Sequence, residues 1–229
     1  MSMLVMALAV EGPTDERFFQ PLLQRTADDL LRQRGIGTTD VLDPIISRFP
    51  PDSETHAQGI LWLARHFAGY QALAIHMDAD APSVERAMRE RYTPGLQLVH
   101  AARAAGVDVC RHLIPLIPVR MVESWMLADG LTLCAVIGTD EDAQSLGLPA
   151  VPHQVEGIPE PKRVLAEAVR HAFGANRRRQ RRANDLPQIH ESLGRQIRLD
   201  QLRHVPSFVT FEAALASAFV ELRLIESER

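Results

Sequence analysis

Cysteine and lysine are scarce in this chain, and long apolar runs are missing. The two cysteines, Cys110 and Cys134, form neither a disulfide framework nor a metal-ligand spacing. The expectation is therefore a reduced, cytoplasmic protein. One lysine, Lys162, stands against 24 arginines, a bias that reads as GC-rich coding rather than function. No apolar stretch approaches the roughly 20 residues that span a bilayer, so no membrane partner is expected. The opening MSMLVMALAV lacks a basic flank and runs straight into EGPTDE, which reads as a strand rather than a signal peptide. A glycine-rich loop ending in Gly-Lys is also missing, so the chain is not expected to hydrolyse nucleotide itself. There is no internal repeat and no heptad, and a homodimer is left open.

What is present is ordinary for a soluble globular protein. The 229 residues suffice for one generous domain or two small ones, with 46% hydrophobic and 24% charged residues. The net charge of −4 argues against a nucleic-acid partner only if it is evenly spread. Residues 162–182 hold eight Lys/Arg and one acid, Glu167, a local +7 that leaves −11 for the rest. The chain has a basic segment and an acidic body.

Met3–Val10 reads as a short buried strand ending at a Gly-Pro turn. Thr14 is placed to cap a helix running to about Arg34, with Asp15 and Glu16 in its first turn. Further strands are expected at 41–48, 72–77 and 113–119. The last contains Pro115 and Pro118, so it reads as an edge or irregular strand. Helices are expected at 54–67, 83–105 (broken near Pro94-Gly95) and 122–131. Alternating strands and helices give an α/β class with a partly parallel sheet. Residues 1–137 form this core. Residues 138–229 read as a loop followed by helices at 162–173 and 208–224, a helical extension packed on the core.

Two acidic groups close predicted strands: Glu11 with Asp15, and Asp78 with Asp80. Sites in open α/β sheets form beyond the carboxyl ends of strands, so both groups face one crevice. Taken singly, such acids also serve as caps and turn formers. Converging carboxylates without basic partners repel, and a hard divalent cation, Mg²⁺ or Mn²⁺, relieves this. His76 reads as a core histidine pointing away from the crevice, with a supporting role to the site as the alternative. Trp125 and Leu127 read as core, and Asp129 as a helix cap or ligand. The D-x-D of phosphatases that attack through aspartate is a poor match, because Ala81-Pro82 follows it and Glu11 stays unexplained. Arg177, Arg178, Arg179, Arg181 and Arg182 read either as solvated surface or as sequence-blind contacts to a phosphate backbone. They lack interleaved aromatics for base stacking. A basic strip beside an acidic metal site supplies the attraction that such a site cannot give a polyanion.

V-E-G-P-T-D-E after the first strand, H-M-D-A-D after a later one and the segment Val119–Asp129 with E-S-W-M-L-A-D resemble the TOPRIM fold. They are most similar to a TOPRIM-like bacterial family of unknown function allied to the OLD (overcoming-lysogenization-defect) nucleases. Pro161-Lys162-Arg163, where the family's proline stands one place further off, and P-S-F-V-T-F before the last helix extend the resemblance over nearly the whole chain. It implies a metal centre at Glu11, Asp15, Asp78 and Asp80. It also implies Glu123 as a further ligand or general base, and Lys162 as the cation that stabilises transition-state charge. An ABC-type ATPase partner and a setting in antiphage defence follow from the same resemblance.

The expected function is hydrolysis of phosphodiester bonds in DNA, with RNA open, by a divalent-metal-dependent nuclease. The alternatives are a non-catalytic TOPRIM-like module that regulates an ATPase partner, and hydrolysis of a small phosphorylated compound.

Overall fold

The computed structural model describes residues 2–173 and 186–227. Strands β1 (Ser2–Leu4) and β2 (Met6–Val10) are one extended segment interrupted at Val5. They run alongside β3 (Thr39–Val41) and β4 (Ile45–Arg48) in parallel. With β5 (Ala72–His76) and β6 (Leu113–Leu116) the main sheet has the order β4-β2-β5-β6, and every pairing is parallel. The expected α/β class with helix-flanked parallel strands and C-terminal helices is what the chain adopts. Pro115 lies on β6, an edge strand, where a missing N–H costs least.

The helices are α1 (Pro13–Arg34), α2 (His56–His66), α3 (Glu85–Ala87) and α4 (Thr93–Ala104). A π-helical turn, Met88–Tyr92, joins α3 to α4, so the break expected near Pro94 comes just before it. The expected helix at 122–131 is instead two, α5 (Glu123–Met126) and α6 (Gly130–Ile137). Asp129 leaves helical geometry between them to cap α6 through the Thr132 N–H at 3.2 Å. After a 3₁₀ turn at Pro152–Gly157 come α7 (Pro161–Phe173), α8 (Leu186–Gln196), α9 (Leu199–Leu202) and α10 (Pro206–Glu221). Helices α8 and α9 were not anticipated from the sequence.

The order in which strands are added reverses at β2. The chain adds β4 on one side, then returns to add β5 and β6 on the other. Right-handed crossovers then place α1 on one face of the sheet and α2 and α4 on the opposite face. The side-chain alternation agrees. Met6, Leu8, Val10, Ala72 and Ala74 pack with Phe18, Phe19 and Leu22 of α1 and with Leu193, Phe208 and Phe211 of the C-terminal helices. Ala7, Ala9, Leu73 and Ile75 pack with Ile60 and Leu63 of α2 and Val99 of α4. The C-terminal helices thus share one buried cluster with the sheet and α1. Each large apolar side chain in it contributes roughly 1.5–3 kcal/mol by leaving water.

Helix α8 crosses α1 at very short range. A Cβ on Gly194 would stand 2.3 Å from the Phe18 carbonyl oxygen. Arg25 of α1 donates to the carbonyls of Gly194 at 2.9 Å and Ile197 at 2.7 Å, closing the end of α8. Arg198 forks onto Asp129 with Nε–Oδ2 2.9 Å and Nη2–Oδ1 2.8 Å, joining α6 to the extension. Trp125 donates its indole N–H to Ser207 Oγ at 2.7 Å and packs edge-on to Phe19 and Phe208. The E-S-W-M-L-A-D and P-S-F segments, distant in sequence, therefore meet inside the core.

Candidate metal centre

The reversal of strand order at β2 opens a crevice at the carboxyl ends of β2 and β5, where ligands bind in open parallel sheets. Glu11 follows β2 directly, and Asp78 lies two residues beyond β5. Asp15 comes from the first turn of α1, and Glu123 opens α5. Asp78 lies close enough to act on the other three, and Asp15 on Glu123. Burial, joined by the negative charge of Asp78, raises the pKa values of Glu11, Asp15 and Glu123. Asp78 is pushed up to about 7 by burial and then by Asp80, against the pull of the Val122 amide, Arg91 and Lys162.

The expected capping role of Thr14 is not adopted. The cap position is Gly12, whose N–H is received by the Asp15 carboxylate at 2.8 Å. Asp15 thus carries both roles weighed for it: it closes the helix start and faces the crevice. Asp80 differs from the extended geometry that would align it with Asp78. Its φ is +51°, its side chain is 69% exposed, and its carboxylate pairs with Arg91 at 3.3 Å. Arg91 also donates to the Asp78 carbonyl. The Asp80 N–H binds the carbonyl of Arg120, another residue at positive φ.

His76 corrects the sequence reading. Alternation along β5 places it with Ala72 and Ala74 on the α1 face, and the crevice lies on that same face. The ring is fully buried against Phe19, with centroids 4.5 Å apart. Its Nε2 stands 3.3 Å from Asp78 Oδ1 and its Nδ1 4.0 Å from Asp15 Oδ2, yet neither nitrogen has a hydrogen-bond partner. Burial lowers its pKa to about 4, against the opposing pull of Asp15 and Glu11.

Lys162, at the start of α7, acts electrostatically on Asp15, Asp78 and Glu123, so the cation expected beside the carboxylates is there. Three residues escaped the sequence reading. Arg91 arrives through the π-helical turn, which no periodicity announces. His56 at the start of α2 lies 3.9 Å from Glu11. His190 of α8 is buried, bonded to the Thr14 backbone and close to Lys162, with its pKa lowered to about 4 by burial. Its position beside Ile189 on the apolar face of α8 was the available signal. Asp129 is a cap and ion-pair partner of Arg198 rather than a ligand, and Trp125 and Leu127 are core. Arg177, Arg178, Arg179, Arg181 and Arg182 lie outside the described residues.

Comparison with protein-family models, curated proteins and solved structures finds no match. Five buried side-chain atoms lack a partner among the described residues: both ring nitrogens of His76, Asp78 Oδ1, Arg120 Nε and His190 Nδ1. All sit around this carboxyl edge. Buried polar atoms are ordinarily paired, and a local concentration of exceptions marks a site built for something other than stability. The donor set, carboxylate oxygens with one imidazole, fits a hard divalent cation. Among the described residues no three His, Cys, Asp or Glu side chains already stand in a coordination arrangement, and Asp80 is engaged by Arg91.

Proposed function

We propose that this protein is a divalent-metal-dependent phosphodiesterase acting on nucleic acid, DNA first and RNA second. The observation that carries the reading is the concentration of unpartnered buried polar atoms and mutually repelling carboxyls at the switch point of the sheet. Glu11, Asp15 and Asp78 would hold Mg²⁺ or Mn²⁺, with Asp80 joining on release from Arg91. Such an ion supplies Lewis acidity and lowers the pKa of bound water. Glu123 is buried and holds its proton more tightly than a free glutamate, which suits it to accept a proton from the attacking water. Lys162 offsets charge on the phosphoryl oxygens. The arginines 177–182 would hold the polyanion, and no helix among the described residues is long and apolar enough to cross a membrane. A cytoplasmic setting in antiphage defence with an ABC-type ATPase partner belongs to the same proposal and rests on the sequence resemblance.

One observation favours the other reading, a non-catalytic module that docks to the ATPase. Arg91 already pairs with Asp80 and would compete with an ion for that carboxylate. The two are separated by thermal melts with and without Mn²⁺ on the wild type and on Asp78→Ala/Asp80→Ala, followed by cleavage of nicked plasmid and tRNA. The enzyme reading expects a Mn²⁺-dependent rise in Tm that the double variant loses, and cleavage that the double variant abolishes. No shift and no cleavage with either metal would sink it.

A further inference from the structure

We infer that His76 is a positioning residue of the carboxylate centre: its Nε2–H holds Asp78 through Oδ1, so that the carboxylate, which also takes the Val122 backbone N–H, presents its other oxygen to the crevice. This rests on the metal-site reading above and deepens it. Asp78 Oδ1 is buried and has no donor, while the side chain as a whole is 23% exposed, so the exposure falls on the remainder of the carboxylate. His76 Nε2 stands 3.3 Å from Oδ1, slightly beyond a well-formed hydrogen bond and reachable by a small rotation of the carboxylate. The ring cannot turn toward another partner. It is fully buried, Phe19 packs against it, and its second nitrogen faces Asp15 at 4.0 Å. An imidazole between two carboxyls serves no purpose in packing, since an apolar side chain on β5 would fill the space without unpaired polar atoms. Its value lies in orientation. A carboxylate pinned at one oxygen presents the other in a fixed direction, and such supporting hydrogen bonds are typically worth 10–100-fold in metal affinity.

The test is Mn²⁺ binding followed by electron paramagnetic resonance of the free ion, on the whole chain. The variants are His76→Leu, His76→Asn and His76→Gln, each also in an Asp78→Asn background. His76→Leu and His76→Asn, which cannot place a donor where Nε2 stands, weaken Mn²⁺ binding by about 10–100-fold. His76→Gln, whose amide N–H reaches that position, keeps affinity within a factor of about three. In the Asp78→Asn background the Leu and Asn replacements cost nothing further. Melts in chelator show His76→Leu no less stable than wild type, and if that variant does not fold, the Asn and Gln variants carry the comparison. Wild-type affinity in the Asn variant, weak binding in the Gln variant, or an undiminished loss in the Asp78→Asn background would each overturn the inference while leaving the metal centre standing. A wild type that binds no Mn²⁺ removes both.

Discussion

At the residue scale, the acids of this chain sort by what surrounds them. Asp129 and Asp78 are opposite cases. Asp129 is buried but receives the Arg198 guanidinium and backbone, Thr132 and its N–H, and its pKa falls to about 2. The folded value lies below the unfolded one, so the pair's contribution is fully present above pH 4 and is lost as pH falls toward 2. Asp129→Asn should cost about 2–3 kcal/mol near pH 7, with the gap to wild type narrowing below pH 4 in thermal melts. Asp78 is buried with weaker compensation, the Val122 amide and the fields of Arg91 and Lys162, and its folded pKa of about 7 lies above the unfolded value. Its charge destabilises the metal-free protein progressively as pH rises from about 4 through 7. Asp78→Asn in chelator should therefore raise stability by about 1–3 kcal/mol at pH 8, by less at pH 5 and by nothing at about pH 3. A variant less stable than wild type at pH 8 would show that Asp78 serves the fold rather than the site. His76 was legible as a buried histidine. Its orientation was not, because the face of the sheet that carries the crevice depends on where α1 crosses.

At the scale of elements, close crossings aim the site residues. Helix α1 carries Asp15, α8 carries His190, and the two meet at Gly194. Gly194→Ala forces a methyl against the Phe18 carbonyl and Pro21, 2.9 Å from its Cγ, with no flexible side chain to yield. The expected cost is about 1–3 kcal/mol in urea unfolding, with weaker Mn²⁺ binding as α8 is displaced. The Trp125–Ser207 bond ties α5, which begins with Glu123, to α10. Ser207→Ala should cost about 1–3 kcal/mol by stranding a buried indole N–H, and a near-neutral effect would mean the Trp ring finds another acceptor. The long amphipathic α1 and the strands around it were readable from periodicity. The division of 122–131 into two helices was not, since Asp129 interrupts the apolar spacing as a cap, and the Arg198 that pairs with it comes from 69 residues away.

At the scale of the whole molecule, charge separation carries the argument about substrate. The +7 of residues 162–182 begins at Lys162, beside the carboxylates. Replacing arginines 177, 178, 179, 181 and 182 by glutamine should weaken binding of duplex DNA and flatten its dependence on salt by up to about four in the slope of log K against log salt. Hydrolysis of a small phosphodiester should persist in that variant. An unchanged salt slope would take the arginine segment out of the interface.

The sequence by itself determined the α/β class, the strand and helix periods, and the acids that close β2 and β5, because these follow from local spacing and chain connectivity. Only the tertiary structure decided which of those acids are buried together, that Arg91 reaches Asp80, and that His76 turns toward Asp15 and Asp78. Each of these depends on which helix covers which face of the sheet and how closely two distant segments approach. Burial and charge proximity are properties of that packing, and no window of sequence contains them.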